Sequence, residues 1–172
     1  MTFLRAFGND RRGVAAVEAA LIGGFLVVAM FNVAEVSRYA YISMQVLTAS
    51  QAGAQAAIIT CDPPETPVTI NCPEAPAAIA AAITGTSLGA AVALQGGLAE
   101  GWYCVNLEGV LQRMGGPTAK PVNCTAAGVP GGAPSLYLSL RVAYPFEPIF
   151  PGLTLVETFP RTIVKSAMMR ML

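Results

Sequence analysis

The hydrophobic positions of this chain are concentrated in one block near its N-terminus. Residues 19–34 contain no charged side chain, and Asn32 is the only strongly polar one. Extending the block back to Gly13 gives 22 residues with a single carboxylate, that of Glu18. Because about 20 apolar residues in a helix cross the hydrocarbon core of a bilayer, the pattern predicts a membrane-spanning helix over residues 14–34.

Two other interpretations of this block are a cleaved secretory signal and a buried core helix. Arg5, Arg11 and Arg12 precede it against one acid, Asp10, which fits both a secretory signal and an anchor whose N-terminus stays in the cytoplasm. The block is followed directly by residues 35–38, Glu-Val-Ser-Arg, and not by a small-residue cleavage site. A core helix does not explain the clustered arginines. We therefore favour a retained anchor, with the rest of the chain exported.

The helical pattern continues beyond the apolar block. Residues 35–59 contain no proline and one glycine, Gly53, and most of their residue types are compatible with a helix. Apolar and small side chains recur there at steps of three and four, so one face can pack on a domain. The pattern predicts a single helix from Val14 to Ile59, ended by the prolines of Cys61-Asp62-Pro63-Pro64.

The remaining chain has the pattern of a small domain with strands. Residues 136–144 alternate strictly between apolar and other side chains, which predicts a half-buried strand. We expect residues 154–159 to return as a second, antiparallel strand, and residues 161–165 to continue it or to begin a third. Two further predicted elements are a strand over residues 102–107 and a short helix over residues 75–83. The expected architecture is an antiparallel sheet laid on the lower half of the long helix.

All four cysteines fall in the part predicted to be exported: Cys61, Cys72, Cys104 and Cys124. An even number of cysteines outside the cytoplasm favours disulfides, and four cysteines allow three connectivities. We favour Cys61–Cys72 and Cys104–Cys124, because each pair encloses a polar, proline-rich loop that cannot hold itself. A zinc site is disfavoured by the absence of histidine and of any Cys-x-x-Cys spacing.

Composition and charge narrow the functional classes. The chain has 172 residues, of which 54% are hydrophobic and 12% charged, against about 25% charged in an average soluble domain. Ten basic and ten acidic residues cancel, so no basic field attracts nucleic acid. No histidine is present to act as a general base, and Glu100 and Glu108 flank a predicted strand without a second catalytic motif. We expect no enzymatic activity, no cofactor and no metal, and we interpret Trp102 and Tyr103 as core aromatics and not as an adhesive patch.

Glu18 needs an explanation, because a charged side chain inside a membrane span is costly. One explanation is that it lies near the cytoplasmic edge and reaches solvent. Its surroundings, Arg11-Arg12-Gly13-Val14-Ala-Ala-Val-Glu18, resemble the processing site of type IV pilins, where a membrane aspartyl peptidase cuts after the glycine and leaves a glutamate at mature position five. The resemblance implies a cut between Gly13 and Val14. It also implies that Glu18 pairs with the terminal amine of a neighbouring subunit, since opposite charges in a low-dielectric layer must be paired.

The resemblance is closer to one branch of these proteins than to type IV pilins in general. Residues 13–26, together with Asn32-Val-Ala-Glu35-Val-Ser-Arg38, resemble the N-terminal signature of the TadE-like minor pilins, pseudopilins of the tight-adherence (Flp) pilus. Residues 140–150 are similar to the family's strand that runs into a proline-rich loop, and residues 166–170 to its closing segment. The family often has a proline where Gly24 stands, so a kink there is expected to be softer or absent.

The resemblance implies an α+β, pilin-like fold and four regions. They are a cleaved cytoplasmic leader (1–13), a transmembrane helix half (14–34), its extension (35–60) and a disulfide-containing head (61–172), periplasmic first and extracellular after pilus assembly. The implied role is structural, in assembly, initiation or tip formation. The implied partners are prepilin peptidase, other pilins, the inner-membrane assembly platform and membrane lipid. The alternative function is an uncleaved single-pass inner-membrane protein whose periplasmic head is a partner-binding scaffold of a secretion system.

Overall fold

The computed structural model describes residues 11–61 and 66–171, with side chains from Gly13 onward. Its helices are α1 (Arg11–Thr60), α2 (Val68–Asn71) and α3 (Ala75–Thr84), and its strands are β1 (Ala93–Val105), β2 (Leu111–Gly115), β3 (Ser135–Pro145) and β4 (Thr162–Arg170). Short 3-10 helices lie at Gly89–Ala91, Thr125–Ala127 and Leu155–Thr158. The leader residues 1–10, with Arg5 and Asp10, and the predicted helix stop at Asp62-Pro63-Pro64 lie outside the described residues.

The chain forms two compact units that do not follow its linear order. The first, here called the helix unit, contains the described residues up to Ala40 together with Glu147–Pro160. The second, the sheet unit, contains Tyr41–Phe146 and the described residues from Arg161 onward. Helix α1 contributes to both units. The segment that connects β3 to β4 along the chain belongs to the helix unit, and it is called the β3–β4 loop below.

The prediction of a single long helix is confirmed, since α1 runs for 50 residues without interruption, through Gly23 and Gly24. Its part in the sheet unit packs through one face, whose fully or nearly fully buried residues are Ile42, Val46, Ala49, Ser50, Ala54 and Ala57. Gly53 lies on the same side, and a Cβ atom there would come within 2.9 Å of Cγ1 of Ile83 in α3. Glycine at this position therefore allows α1 and α3 to approach closely.

The sheet has four strands in the order β2-β1-β3-β4, and every neighbouring pair is antiparallel. The predicted alternation of β3 is confirmed, with four apolar side chains facing the core: Leu136, Leu138, Leu140 and Val142. The predicted short helix corresponds to α3, and the region predicted from residue 161 onward begins β4. Strand β1 begins well before the predicted residues 102–107, at Ala93, and ends at Val105. Its first half was not predicted, because a bulge at Gly96 and Gly97, both with positive φ, hides the alternation there.

The prediction of a strand over residues 154–159 is wrong. These residues form the 3-10 helix Leu155–Thr158 and its flanks within the β3–β4 loop. The surrounding prolines have no N–H group to donate to a neighbouring strand. Backbone N–H groups of this loop that could pair with a neighbouring strand donate instead to side chains of α1. The hairpin between β3 and β4 closes at its base instead, where the Phe146 N–H donates to the Arg161 carbonyl at 2.6 Å.

Both disulfides have the favoured pairing. Cys61–Cys72 links the end of α1 to the residue after α2, with a Cα–Cα distance of 5.9 Å. Cys104–Cys124 links β1 to the segment before the second 3-10 helix, with a Cα–Cα distance of 5.6 Å. The bridges join residues 11 and 20 positions apart, and each limits the freedom of the unfolded chain, an effect that grows with the number of residues enclosed.

The two aromatic residues of β1 have different environments. Trp102 is 6% exposed, and its indole N–H donates to the Pro117 carbonyl at 3.0 Å, so its assignment to the core is confirmed. Tyr103 is partly exposed because successive strand residues face opposite sides. It contacts Tyr137 edge to face, with ring centroids 5.6 Å apart.

Glu100 is a buried carboxylate whose role was not foreseen. It is 4% exposed. Its two oxygens accept hydrogen bonds from the backbone N–H groups of Val68 and Thr69, at 3.1 and 3.0 Å, and from the Thr69 hydroxyl at 2.9 Å. A strand residue thereby satisfies the free N–H groups at the start of α2. Glu108, by contrast, is exposed.

We expect Glu100→Ala to destabilise the sheet unit by about 1.5–3 kcal/mol, because it leaves two N–H groups of α2 without a charged acceptor. Denaturant unfolding in detergent, followed through the emission of buried Trp102, measures this change. The matched control is Glu108→Ala, which should alter stability by less than about 0.5 kcal/mol. An equal unfolding midpoint for both variants would contradict the assigned role of Glu100.

Candidate functional site: an apolar helix segment and its polar clasp

The residues predicted for processing and assembly share one exposed stretch of α1. Gly13 and Val14 lie near its start, and Val14 is 70% exposed. Glu18 lies about one turn further along and is also exposed. Among the residues whose side chains are described, none forms a hydrogen bond or ion pair with the Glu18 carboxylate. The stretch therefore presents on its surface both the peptide bond after Gly13 and an acid without a partner among the described side chains.

The helix surface around and after Glu18 is mostly apolar and exposed. Its exposed large hydrophobic residues are Val14, Val17, Leu21, Ile22, Phe25, Leu26, Val27, Val28, Met30, Val33 and Val36. The most hydrophobic window has a mean hydropathy of 2.3, and none of it is buried. A core helix of a water-soluble protein would bury such side chains. By length and composition, this helix is sufficient to cross a membrane.

At the end of the apolar segment, the Glu35 side chain is buried against the β3–β4 loop. It is 1% exposed, and its two oxygens accept the Ile149 N–H at 3.2 and 3.1 Å. Nη1 of Arg38 lies 3.5 Å from Oε1 of Glu35 and donates to the Glu147 carbonyl at 2.7 Å. A buried carboxylate is tolerated only when it is paired and hydrogen-bonded, and both conditions are met here.

Asn32 holds the same loop one turn earlier. Its Oδ1 accepts the Leu155 N–H at 2.8 Å, and its Nδ2 donates to the carbonyls of Leu153 at 3.3 Å and Val28 at 2.9 Å. The amide thus offers the loop one acceptor and one donor, as a neighbouring backbone would. This explains the only strongly polar side chain of the apolar block. Asn32, Glu35 and Arg38 are called the clasp below.

The clasp is continuous and flanked by aromatic contacts. Its residues recur every three positions, so they form a slanted row along one side of α1. Phe31 stacks on Phe150 with ring centroids 4.4 Å apart, and Tyr39 meets Phe159 edge to face at 5.0 Å. The β3–β4 loop is therefore fixed to α1 by polar contacts to its backbone and by rings near both of its ends.

The partner of the clasp was not foreseen from the sequence. Asn32, Glu35 and Arg38 were identified only as part of a family motif, and Asn32 also as the one strongly polar residue of the apolar block. Two signals point to the contact in retrospect. One is the amide within an otherwise apolar block, and the other is the charge-free stretch of residues 148–156 between Glu147 and Glu157.

Comparison of the chain with protein-family models, with curated proteins and with solved structures finds no match. The functional interpretation therefore depends on the motif residues themselves and on the contacts that they make.

Proposed function

We propose that this chain is a TadE-like minor pilin, a non-enzymatic structural subunit of a tight-adherence type IV pilus. It is made as an inner-membrane precursor, with residues 14–34 in the bilayer, the N-terminus in the cytoplasm and the sheet unit in the periplasm. Prepilin peptidase cuts after Gly13. With other pilins and the membrane assembly platform, the mature subunit then helps to assemble, initiate or cap the filament.

The observation that carries this proposal is that side chains of the N-terminal motif bind the loop that follows β3. The clasp residues belong to the N-terminal motif, and they bind backbone groups of Glu147, Ile149, Leu153 and Leu155. The first two of these lie in residues 140–150, the second segment with the family resemblance. A helix that served only as an anchor would need no side chains aimed at a particular backbone segment. The contact gives the motif residues Asn32, Glu35 and Arg38 a shared structural purpose.

The exposed surface of α1 fits the two environments of a pilin. In the precursor, the apolar side chains of α1 that are exposed in the structure contact lipid. In a filament, the same surface exchanges lipid for neighbouring helices. At Gly23 and Gly24, no described atom outside the helix's own nearby backbone lies within 4 Å of the position of an added Cβ, so a second helix can approach closely there.

Processing is tested by the intact mass of protein purified from membranes and from sheared filaments. We expect a chain that begins at Val14, because the peptidase removes residues 1–13. Gly13→Leu is the matched variant, since an added side chain meets no described atom within 4 Å of its Cβ and should block cleavage without disturbing the fold. A wild-type chain that keeps residues 1–13 would overturn the pilin proposal and favour the uncleaved scaffold.

A further inference from the structure

The tip of the β3–β4 loop has the burial pattern of a segment that contacts an apolar medium. Residues 148–156 carry no charge. Ile149, Leu153 and Leu155 are 59%, 54% and 68% exposed, whereas Thr154 is only 8% exposed. A loop in water would expose the hydroxyl and bury the branched aliphatic side chains. Exposed apolar patches of this kind mark contacts with protein or with membrane.

The position of the loop on α1 favours membrane. A shallow depression is lined jointly by Val28 and Asn32 of the helix and by residues 152–155 of the loop. The exposed Leu153 and Leu155 therefore lie beside the C-terminal end of the charge-free residues 19–34 of α1. They extend from Asn32 by one helical turn toward the N-terminus of the helix. Val28 and Asn32 are four residues apart, which is about 6 Å along the helix. This distance matches the depth to which interfacial segments are buried in a membrane, about 5–10 Å.

Part of the backbone of this loop is hydrogen-bonded within the protein, which lowers the cost of entering lipid. Irregular backbone at membrane depth requires its polar groups to be satisfied within the protein. The Gly152 N–H donates to Oε1 of Glu157 at 2.6 Å, and the Leu153 N–H donates to the Phe150 carbonyl at 3.3 Å. Asn32 satisfies the Leu153 carbonyl and the Leu155 N–H. Together with the bond from the Ile149 N–H to Glu35, these contacts satisfy four of the six backbone N–H groups of residues 149–155.

We propose that residues 149–155 lie in the headgroup and upper acyl-chain region of the outer leaflet, as a second membrane contact beside α1. The occupant of the exposed leucine surface is lipid. This inference rests on the proposed membrane span of residues 14–34. It adds that the loop sets the depth of the helix, because the clasp fixes the loop to one level of α1.

That depth has a consequence at the other end of the helix. Gly13 lies 19 residues before Asn32, about 28 Å along α1, and the hydrocarbon core is about 30 Å thick. With Asn32 held at the outer boundary, the peptide bond between Gly13 and Val14 lies at the cytoplasmic boundary. Glu18 lies about 21 Å from Asn32 and remains inside the core on the cytoplasmic side. The loop thereby places the processing site where a membrane peptidase can reach it.

Tryptophan quenching by brominated lipid tests the proposal on the full chain. Leu155→Trp is compared with Leu107→Trp, a leucine of the turn between β1 and β2 that is 84% exposed, and with Phe25→Trp in the middle of the apolar segment. Each protein is placed in phosphatidylcholine vesicles at a lipid excess that isolates single chains. The emission of native Trp102 is subtracted, using the wild-type protein.

We expect the Leu155→Trp emission to shift to the blue and to lose most of its intensity to bromines on the upper acyl chain. Leu107→Trp should be unaffected, and Phe25→Trp should be quenched best by bromines near the chain ends. Quenching of Phe25→Trp without quenching of Leu155→Trp would overturn this inference alone. A blue shift of Leu155→Trp that is equal with and without bromine would indicate a protein contact and would overturn it as well. An unquenched Phe25→Trp would overturn the membrane span, and with it both proposals.

Discussion

Replacing Glu18 by glutamine is expected to remove most of this subunit from assembled filaments, while membrane insertion, processing and the folding of the sheet unit stay unchanged. The wild-type carboxylate is exposed on an apolar helix surface and has no described partner, so its side chain is available to a neighbouring subunit. Opposite charges about 4 Å apart attract by about 4 kcal/mol at an effective dielectric constant of 20. Glutamine keeps the size of the side chain and removes this attraction.

The measurement for Glu18→Gln is the ratio of sheared to membrane-bound subunit by immunoblot, with intact mass as the check on processing. Glu108→Gln is the matched control, because Glu108 is an exposed glutamate of the sheet unit, and it should assemble normally. If the Glu18→Gln variant has the same ratio of sheared to membrane-bound subunit as the wild type, the prediction that Glu18 pairs with a neighbouring subunit is wrong. If the variant is not processed, its absence from filaments does not count as support.

Replacing Glu35 by alanine should release the β3–β4 loop from α1 and leave the sheet unit folded. The substitution removes both acceptors of the Ile149 N–H and the ion-pair partner of Arg38. Hydrogen bonds to charged groups contribute about 1.5–3 kcal/mol each, so amide exchange in the loop should rise by about ten- to a hundredfold, since 1.4 kcal/mol is a factor of ten. Exchange in β3 should not change, because this strand belongs to the other compact unit.

Hydrogen exchange read by mass spectrometry measures this release for peptides that cover residues 147–160. Glu35→Gln, which keeps one oxygen acceptor, should fall between the wild type and Glu35→Ala. Glu108→Ala should leave exchange in the loop at the wild-type rate. Unchanged protection of the loop in Glu35→Ala would show that the aromatic contacts of Phe150 and Phe159 hold it without the clasp.

The carboxylates of Glu35 and Glu18 differ in whether their interaction partners lie in their own chain. Glu35 finds its hydrogen-bond donors and its cation within its own chain. Glu18 lies 17 residues earlier, about 25 Å along α1, and has no described partner in its own chain. In the proposed function, Glu35 therefore stabilises the subunit itself, and Glu18 forms a contact between subunits. The two substitutions should accordingly affect different measurements.

The elements with a clear local pattern were predicted from the sequence. The proline-free run of apolar and small residues predicted α1, and strict alternation predicted β3, because both periods follow from backbone geometry alone. The polar, proline-rich loops between the cysteines favoured the two disulfides that are present. Where backbone geometry departs from a simple period, the prediction failed, as at the bulge of β1 around Gly96 and Gly97.

The sequence by itself determined that this chain has one long apolar helix, one acid, Glu18, near its start and a small domain with strands and four cysteines. Only the tertiary structure decided that the β3–β4 loop belongs with the first part of α1, and that Glu35 and Glu100 are bound to backbone N–H groups. Ile149 is 114 positions from Glu35, and Val68 is 32 positions from Glu100. Every non-proline residue carries the same backbone N–H, so no residue type or period marks which one a distant carboxylate will bind; that choice is made when the folded chain brings the two groups together.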